Sequence, residues 1–267
     1  VSSSIEGDLS SRDFSINSIA FLFDKKCLFD PLNGLKDLEI SLLRSHSERN
    51  LLNDPLRILR CFRFVSEFGF KIDLNLITFI EKNKDKLYLV AKERINYEIR
   101  KIVNGANVVD AIILIKKLKI FGSDSLYKDS FFLDLTKINY AELNQEEKEK
   151  FLPLFFISQI LDVTSLEKLK FSKAEIAKIK LFRKWHFFLK NKSIAQLSEL
   201  DRFKFHQELE MYLPSFIFYL PQNLHSDLLK RWRDKEDKLF HPSNLINGDV
   251  IKKYLKIEDG PLLGELL

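Results

Sequence analysis

The stretch Asn53-Asp54-Pro55-Leu56-Arg57-Ile58-Leu59-Arg60-Cys61-Phe62-Arg63-Phe64 constrains the fold of this chain more than any other. Asp54 reads as a helix N-cap and Pro55 as the first helical residue, where a missing N–H costs nothing. At about 100° per residue, Arg57, Arg60 and Arg63 fan over roughly 120° of one side. Ile58, Phe62 and Val65 take the opposite arc, with Leu59 and Cys61 at its edges. The pattern predicts a helix over 54–68, ended by Gly69, with its back in a core and guanidiniums on its front. A solvated face usually mixes signs and favours Lys, whereas Arg makes forked, planar hydrogen bonds.

Asp54 and Arg57 lie one turn apart, so a carboxylate acceptor and a guanidinium donor can point the same way. Cytosine and adenine each present an exocyclic amino donor beside a ring-nitrogen acceptor, which an Asp–Arg edge matches. Guanine and uracil place a carbonyl where that amino group would be, opposite the carboxylate. The helix can thus serve as a protein template for C and A. The plainer reading is an i,i+3 surface ion pair worth a few tenths of a kcal/mol.

Only 8 Gly and 7 Pro among 267 residues argue for long helices and against a turn-dense β fold. With 45% hydrophobic and 30% charged residues, the chain is globular rather than disordered. A net charge of +5 permits a polyanionic partner without requiring one. Cys27 and Cys61 are the only cysteines, and Cys61 falls inside the expected helix, which argues against a disulfide framework and for a reduced, cytoplasmic chain. No apolar run approaches the ~20 residues of a membrane span. The opening Val1-Ser2-Ser3-Ser4 is neither a signal peptide nor an initiator methionine, and reads as the middle of a longer sequence.

Along the chain, residues 13–21 suit a short helix, with a strand as the alternative, and Cys27-Leu28-Phe29 suits a strand. Asp30-Pro31-Leu32-Asn33-Gly34 is a turn, followed by a helical turn at Leu35–Leu38 and an edge strand at Ser41–Arg44. Helices are then expected near 74–84, 92–104, 106–119, 145–161, 164–170, 172–190, 194–212, 214–219 and 222–238. Gly69 and Gly105 are expected to close helices, and Pro153 to kink or begin one. Trp185, Phe187 and Phe188 are expected in the core. The densest basic segment carries Lys168, Lys170, Lys173, Lys178, Lys180, Arg183 and Lys184. It reads either as a solvated helix face or as a phosphate-contacting one.

Arg12-Asp13-Phe14-Ser15-Ile16-Asn17 gathers a cation, a carboxylate and an amide. Arg12 can meet a triphosphate, Asp13 a ribose hydroxyl and Asn17 either, although capping also explains such clusters. Together with Asp30–Leu38 and the Arg57 helix, this segment resembles the class II tRNA nucleotidyltransferases, the CCA-adding enzymes, and their relatives the bacterial poly(A) polymerases. Their Arg-Arg-Asp-Phe-Thr-x-Asn motif matches residues 11–17, and their next motif matches Asp30, Gly34 and Asp37. Glu-Asp-x-x-Arg matches residues 53–57, and Glu-Arg-x-x-x-Glu matches Glu93, Arg94 and Glu98. Leu245–Val250 and Gly260–Leu267 resemble the tail signature of the same enzymes.

The resemblance implies a mainly α chain: a small α/β remnant of a polymerase-β-type head, then helical neck, body and tail, seahorse-like in outline. The expected divisions are head 1–45, neck 46–120, body 121–200 and tail 201–267. It implies that Asp54 and Arg57 pair with incoming CTP or ATP, with Arg60 and Arg63 as further nucleotide contacts and Arg12 beside the triphosphate. Body and tail would grip the acceptor and T-arm of tRNA through phosphates, Lys173, Lys178, Lys180, Arg183 and Lys184 included. Neither DNA nor a membrane is expected as a partner.

Three departures carry consequences. The family's Asp-x-Asp pair, which binds Mg²⁺, is absent and is expected upstream of Val1, so the chain is expected to hold no catalytic or metal-binding residue and to be inactive alone. Ser11 replaces the motif's first Arg, and Asn53 replaces the Glu that could buttress Arg57. The alternatives are a bacterial poly(A) polymerase, against which the tail signature argues, and a noncatalytic helical RNA-binding descendant, against which the intact template residues argue.

Overall fold

Side-chain caps fix where several helices begin. A computed structural model describes residues 4–122, 124–241, 248–256 and 260, and its chain divides into two units, Val1–His186 and Phe187–Leu267. The first opens with α1 (Ile5–Ser10), capped by Ser4. A 3-10 turn over Ser15–Asn17 leads into β1 (Ala20–Leu22), antiparallel to β2 (Cys27–Phe29). The helix expected over 13–21 is therefore a 3-10 turn and then a strand. Asp30 starts α2 (Gly34–Glu39) by accepting from the amides of Gly34 (2.7 Å) and Leu35 (2.8 Å). Next come β3 (Leu42–Leu43) and α3 (Glu48–Asn53), the latter capped by Ser47.

The central helix, α4 (Arg57–Phe68), begins three residues later than its pattern predicts. Asp54 does not cap it as a regular N-cap. Its carboxylate accepts from the Leu56 amide at 3.3 Å, and i→i+3 bonds from Arg57, Ile58 and Leu59 tighten the entry. Ile58, Leu59, Cys61, Phe62 and Val65 are all buried, as the apolar arc requires. Gly69 ends the helix in the left-handed region at φ 72°. There follow β4 (Lys71–Ile72), parallel to β3, and α5 (Leu74–Asn83), capped by Asp73.

α6 (Lys92–Val103) and α7 (Val108–Lys117) both pack on α4. Gly105, between them, is not a left-handed cap. A Cβ there would lie 2.6 Å from the Ser66 carbonyl oxygen, so the glycine is needed for close approach. The unit continues through α8 (Asp124–Tyr127), α9 (Gln145–Ile160) and α10 (Val163–Lys168). α9 begins at an Asn144/Glu147 capping box and carries Pro153 inside it, so the proline does not begin the helix. α11 (Lys173–Leu189) reaches the unit boundary. Trp185 is buried, whereas Phe187 and Phe188 are exposed rather than in a core.

The second unit holds α12 (Glu199–Leu209), α13 (Leu213–Phe216), α14 (His225–Arg233) and α15 (Gly248–Leu255). The tail signature at Leu245–Asn247 and Pro261–Leu267 lies outside the described residues. Among the described residues, no helix is long and apolar enough to cross a membrane.

His206, 3% exposed, sits with its ring 4.2 Å from that of Phe240. Burial first, then Arg231 and Arg202, push its pKa down to about 4, against an opposing pull from Asp237. The unfolded chain, with a histidine pKa of 6.5, takes the proton first. His206 therefore supports stability fully above about pH 6.5 and loses that support as pH falls toward 4, by at most about 3 kcal/mol. Urea titrations followed by Trp232 fluorescence are expected to show this loss, and His206→Phe to remove that part of the slope. An unchanged slope in the variant contradicts the assignment.

Candidate nucleotide-binding site

The α2 segment is a brace beneath the 12–17 loop. Ser15 donates its hydroxyl to the buried Asp37 carboxylate at 2.6 Å, and Arg44 approaches the same group at 3.6 Å. A Cβ on Gly34 would lie 2.2 Å from the Ser15 carbonyl oxygen, so only glycine allows this contact. Asp30, Gly34 and Asp37 thus lie behind the site and shape it.

Held this way, Asp13 is buried. One of its oxygens accepts from the Asn17 amide (2.8 Å) and the Phe14 backbone (3.1 Å), and the other pairs with Arg60 Nε. Burial raises its pKa, but Asn17 and Arg60 outweigh that and hold it below the usual carboxylate range. The carboxylate expected to meet a ribose hydroxyl is therefore engaged in fixing Arg60. Arg12 pairs with Asp8 (2.8 Å), donates to the Asn17 carbonyl (2.7 Å) and remains largely exposed.

These groups face a cleft of about 930 Å³ whose walls also carry Asp54, Arg57, Arg60, Arg63, Glu93, Arg94 and Glu98. Arg57 Nη1 donates to the carbonyls of Ser11 (2.9 Å) and Asn50 (3.3 Å). Backbone carbonyls therefore buttress Arg57, where the residue before Asp54 is the uncharged Asn53. Asp54 accepts from Arg94 Nη2 at 2.7 Å, and both side chains are half-exposed. Arg63 differs from its neighbours: it is 9% exposed, with Nη1 3.2 Å from both Glu98 oxygens and Nε 3.7 Å from Glu67. This arginine chiefly ties α4 to α6. Glu93 pairs with Lys170.

The cleft also includes Phe64, Tyr97 and Lys101, which the sequence reading did not single out. Phe64 lies beneath Arg60 and Arg63, its ring centroid 6.0 and 5.3 Å from their Cζ atoms. Tyr97 is 59% exposed, with Lys101 Nζ 4.4 Å from its ring centroid. Glu93, Tyr97 and Lys101 recur every four residues on one helix face, a signal available in the sequence.

The basic α11 residues do not line this cleft. Lys173, Lys180 and Lys184 share one exposed stripe, with Lys180 3.0 Å from Glu167 and Lys184 5.0 Å from the Trp185 ring. Lys178 is half-buried. Arg183 is tied to Asp129 at 2.5 Å and lies 4.6 Å from the Phe131 ring, an anchor rather than an open phosphate contact.

Among the described residues, no three His, Cys, Asp or Glu side chains come together as metal ligands. The buried carboxylates of this region are all committed: Asp13 to Asn17 and Arg60, Asp37 to Ser15 and Arg44, and Glu98 to Arg63. They do not fit a Mg²⁺ site. What the cleft offers is a cationic wall of arginines beside one half-exposed carboxylate–guanidinium edge, a combination suited to an anionic ligand with a planar polar head.

A family model described as the Poly A polymerase head domain matches residues 1–44. The CC-adding tRNA nucleotidyltransferase of Synechocystis sp. is 28% identical over 299 residues, covering 99% of this chain and 70% of that protein. In fold, the chain resembles the Bacillus stearothermophilus CCA-adding enzyme in complex with CTP (TM-score 0.67, 20% identity, 98% of this chain and 67% of that one). It also resembles the Thermotoga maritima CCA-adding enzyme complexed with tRNA (TM-score 0.62, 20% identity, 99% of this chain and 68% of that one). The chain thus spans about two thirds of the length of these proteins. These likenesses run nearly end to end along the chain, which resembles the CC-adding tRNA nucleotidyltransferase in sequence and shares the fold of the CCA-adding enzymes.

Proposed function

We propose that this chain is the base-selecting and tRNA-binding part of a tRNA nucleotidyltransferase that extends tRNA 3′ ends with C and A from CTP and ATP. The observation that carries the reading is the half-exposed Asp54 and Arg57 on the wall of an arginine-lined cleft. Asp54 accepts the exocyclic amino proton of C or A, and Arg57 donates to the adjacent ring nitrogen. Arg60, fixed by Asp13, and Arg12 face the phosphates. The exposed Lys173, Lys180 and Lys184 stripe meets tRNA phosphates. The division into head remnant, neck, body and tail belongs to the same proposal, as does Mg²⁺, through an Asp-x-Asp pair that this sequence lacks. Both cysteines are free thiols, which fits a cytoplasmic setting.

Titrating the 267-residue chain with the four ribonucleoside triphosphates tests the reading. CTP and ATP are expected to bind more tightly than UTP and GTP. Equal binding of all four, or of none, overturns it.

A further inference from the structure

Resting on that base-reading role, we propose that Arg94 is an internal latch on Asp54. Its guanidinium occupies the base-reading carboxylate until a nucleobase with an amino group takes its place. Arg94 Nη2 lies 2.7 Å from Asp54 Oδ2, on a side chain that is 52% exposed. It belongs to α6, not to the α4 entry that carries Asp54, so the contact bridges two elements across the cleft. Of the other charged groups on that α6 face, Glu93 holds Lys170, Glu98 holds Arg63, and Lys101 lies 4.4 Å from the Tyr97 ring centroid.

Asp54 has two oxygens. Oδ1 faces the Leu56 amide, and Oδ2 is the one Arg94 covers. An exocyclic amino group arriving at Oδ2 competes with the Arg94 N–H for the same acceptor, and an arginine as exposed as this one can swing to water. A base that presents a carbonyl there gains nothing by displacing Arg94, because the uncovered carboxylate would face another acceptor. The latch therefore costs only a ligand that must displace Arg94 to reach Oδ2, which is C or A. It lowers affinity for the correct bases and leaves the others nearly untouched. A residue that merely buttressed Asp54 would act in the opposite direction.

Arg94→Ala and Arg94→Lys, compared with the unaltered chain in titrations with CTP and UTP, separate the two roles. Exposed ion pairs are weak, so Arg94→Ala is expected to tighten CTP binding by about two- to fivefold. UTP binding should be unchanged or weaker, so the CTP-over-UTP ratio rises. Arg94→Lys, which restores a cation without the planar fork, should fall between. CTP binding that is equal or weaker in Arg94→Ala, with base preference intact in the unaltered chain, overturns the latch alone. Absence of base preference in the unaltered chain overturns the reading beneath it.

Discussion

Replacing Glu98 by Ala is expected to cost the first unit about 3–5 kcal/mol, because it strands the Arg63 guanidinium in the interior with only the more distant Glu67. Glu98 is nearly buried, and its two oxygens are the nearest acceptors to Arg63 Nη1. Arg63 Nε already lacks a hydrogen-bond partner, so the site has little left to offer a charge. Against a total domain stability of about 5–15 kcal/mol, such a loss is large. In thermal unfolding followed by Trp185 fluorescence it should lower the midpoint by roughly 6–20 °C. The pair need not be stabilising in itself: Arg63→Met with Glu98→Leu, which removes both charges and keeps apolar volume, is expected to recover most of the loss. A single variant that loses less than about 1 kcal/mol contradicts the picture of Arg63 as the bolt between α4 and α6.

That bolt marks the boundary of what was legible in the sequence. Helical periodicity identified α4, its buried Ile58, Phe62 and Val65, and its closure at Gly69, because each follows from residues within a few turns. The same local pattern grouped Arg57, Arg60 and Arg63 as equals. What separates them is distant: Arg63 meets Glu98 thirty-five positions away, and Arg60 meets Asp13 forty-seven away. No periodicity encodes such partners. The pairing of β3 with β4 was hidden for a related reason, since two residues on each side are too few to show alternation. Gly105 looked like a helix stop because glycine commonly is one, yet its role is to let a chain pass close to Ser66. The candidate site was legible as a set of residues, through ordered motifs. Its division into half-exposed groups, such as Asp54 and Arg57, and buried ones, such as Asp13 and Arg63, needed the fold.

The most direct test of the central claim changes one atom of Asp54. Asp54→Asn keeps the shape of the side chain but replaces one acceptor oxygen with a donor amide. A two-point polar edge of this kind discriminates between bases by about 1–3 kcal/mol, roughly 5- to 150-fold. Neither Arg12 nor Arg60, the groups proposed to face the phosphates, contacts Asp54 through a side-chain hydrogen bond, so the substitution should leave the phosphate contribution in place. The measurement is the ratio of CTP to UTP dissociation constants in the unaltered chain and in Asp54→Asn. A clear preference for CTP that collapses toward unity in the variant, chiefly through tighter UTP and weaker CTP binding, is the predicted result. A preference that survives the substitution contradicts a base choice made by the Asp54 carboxylate.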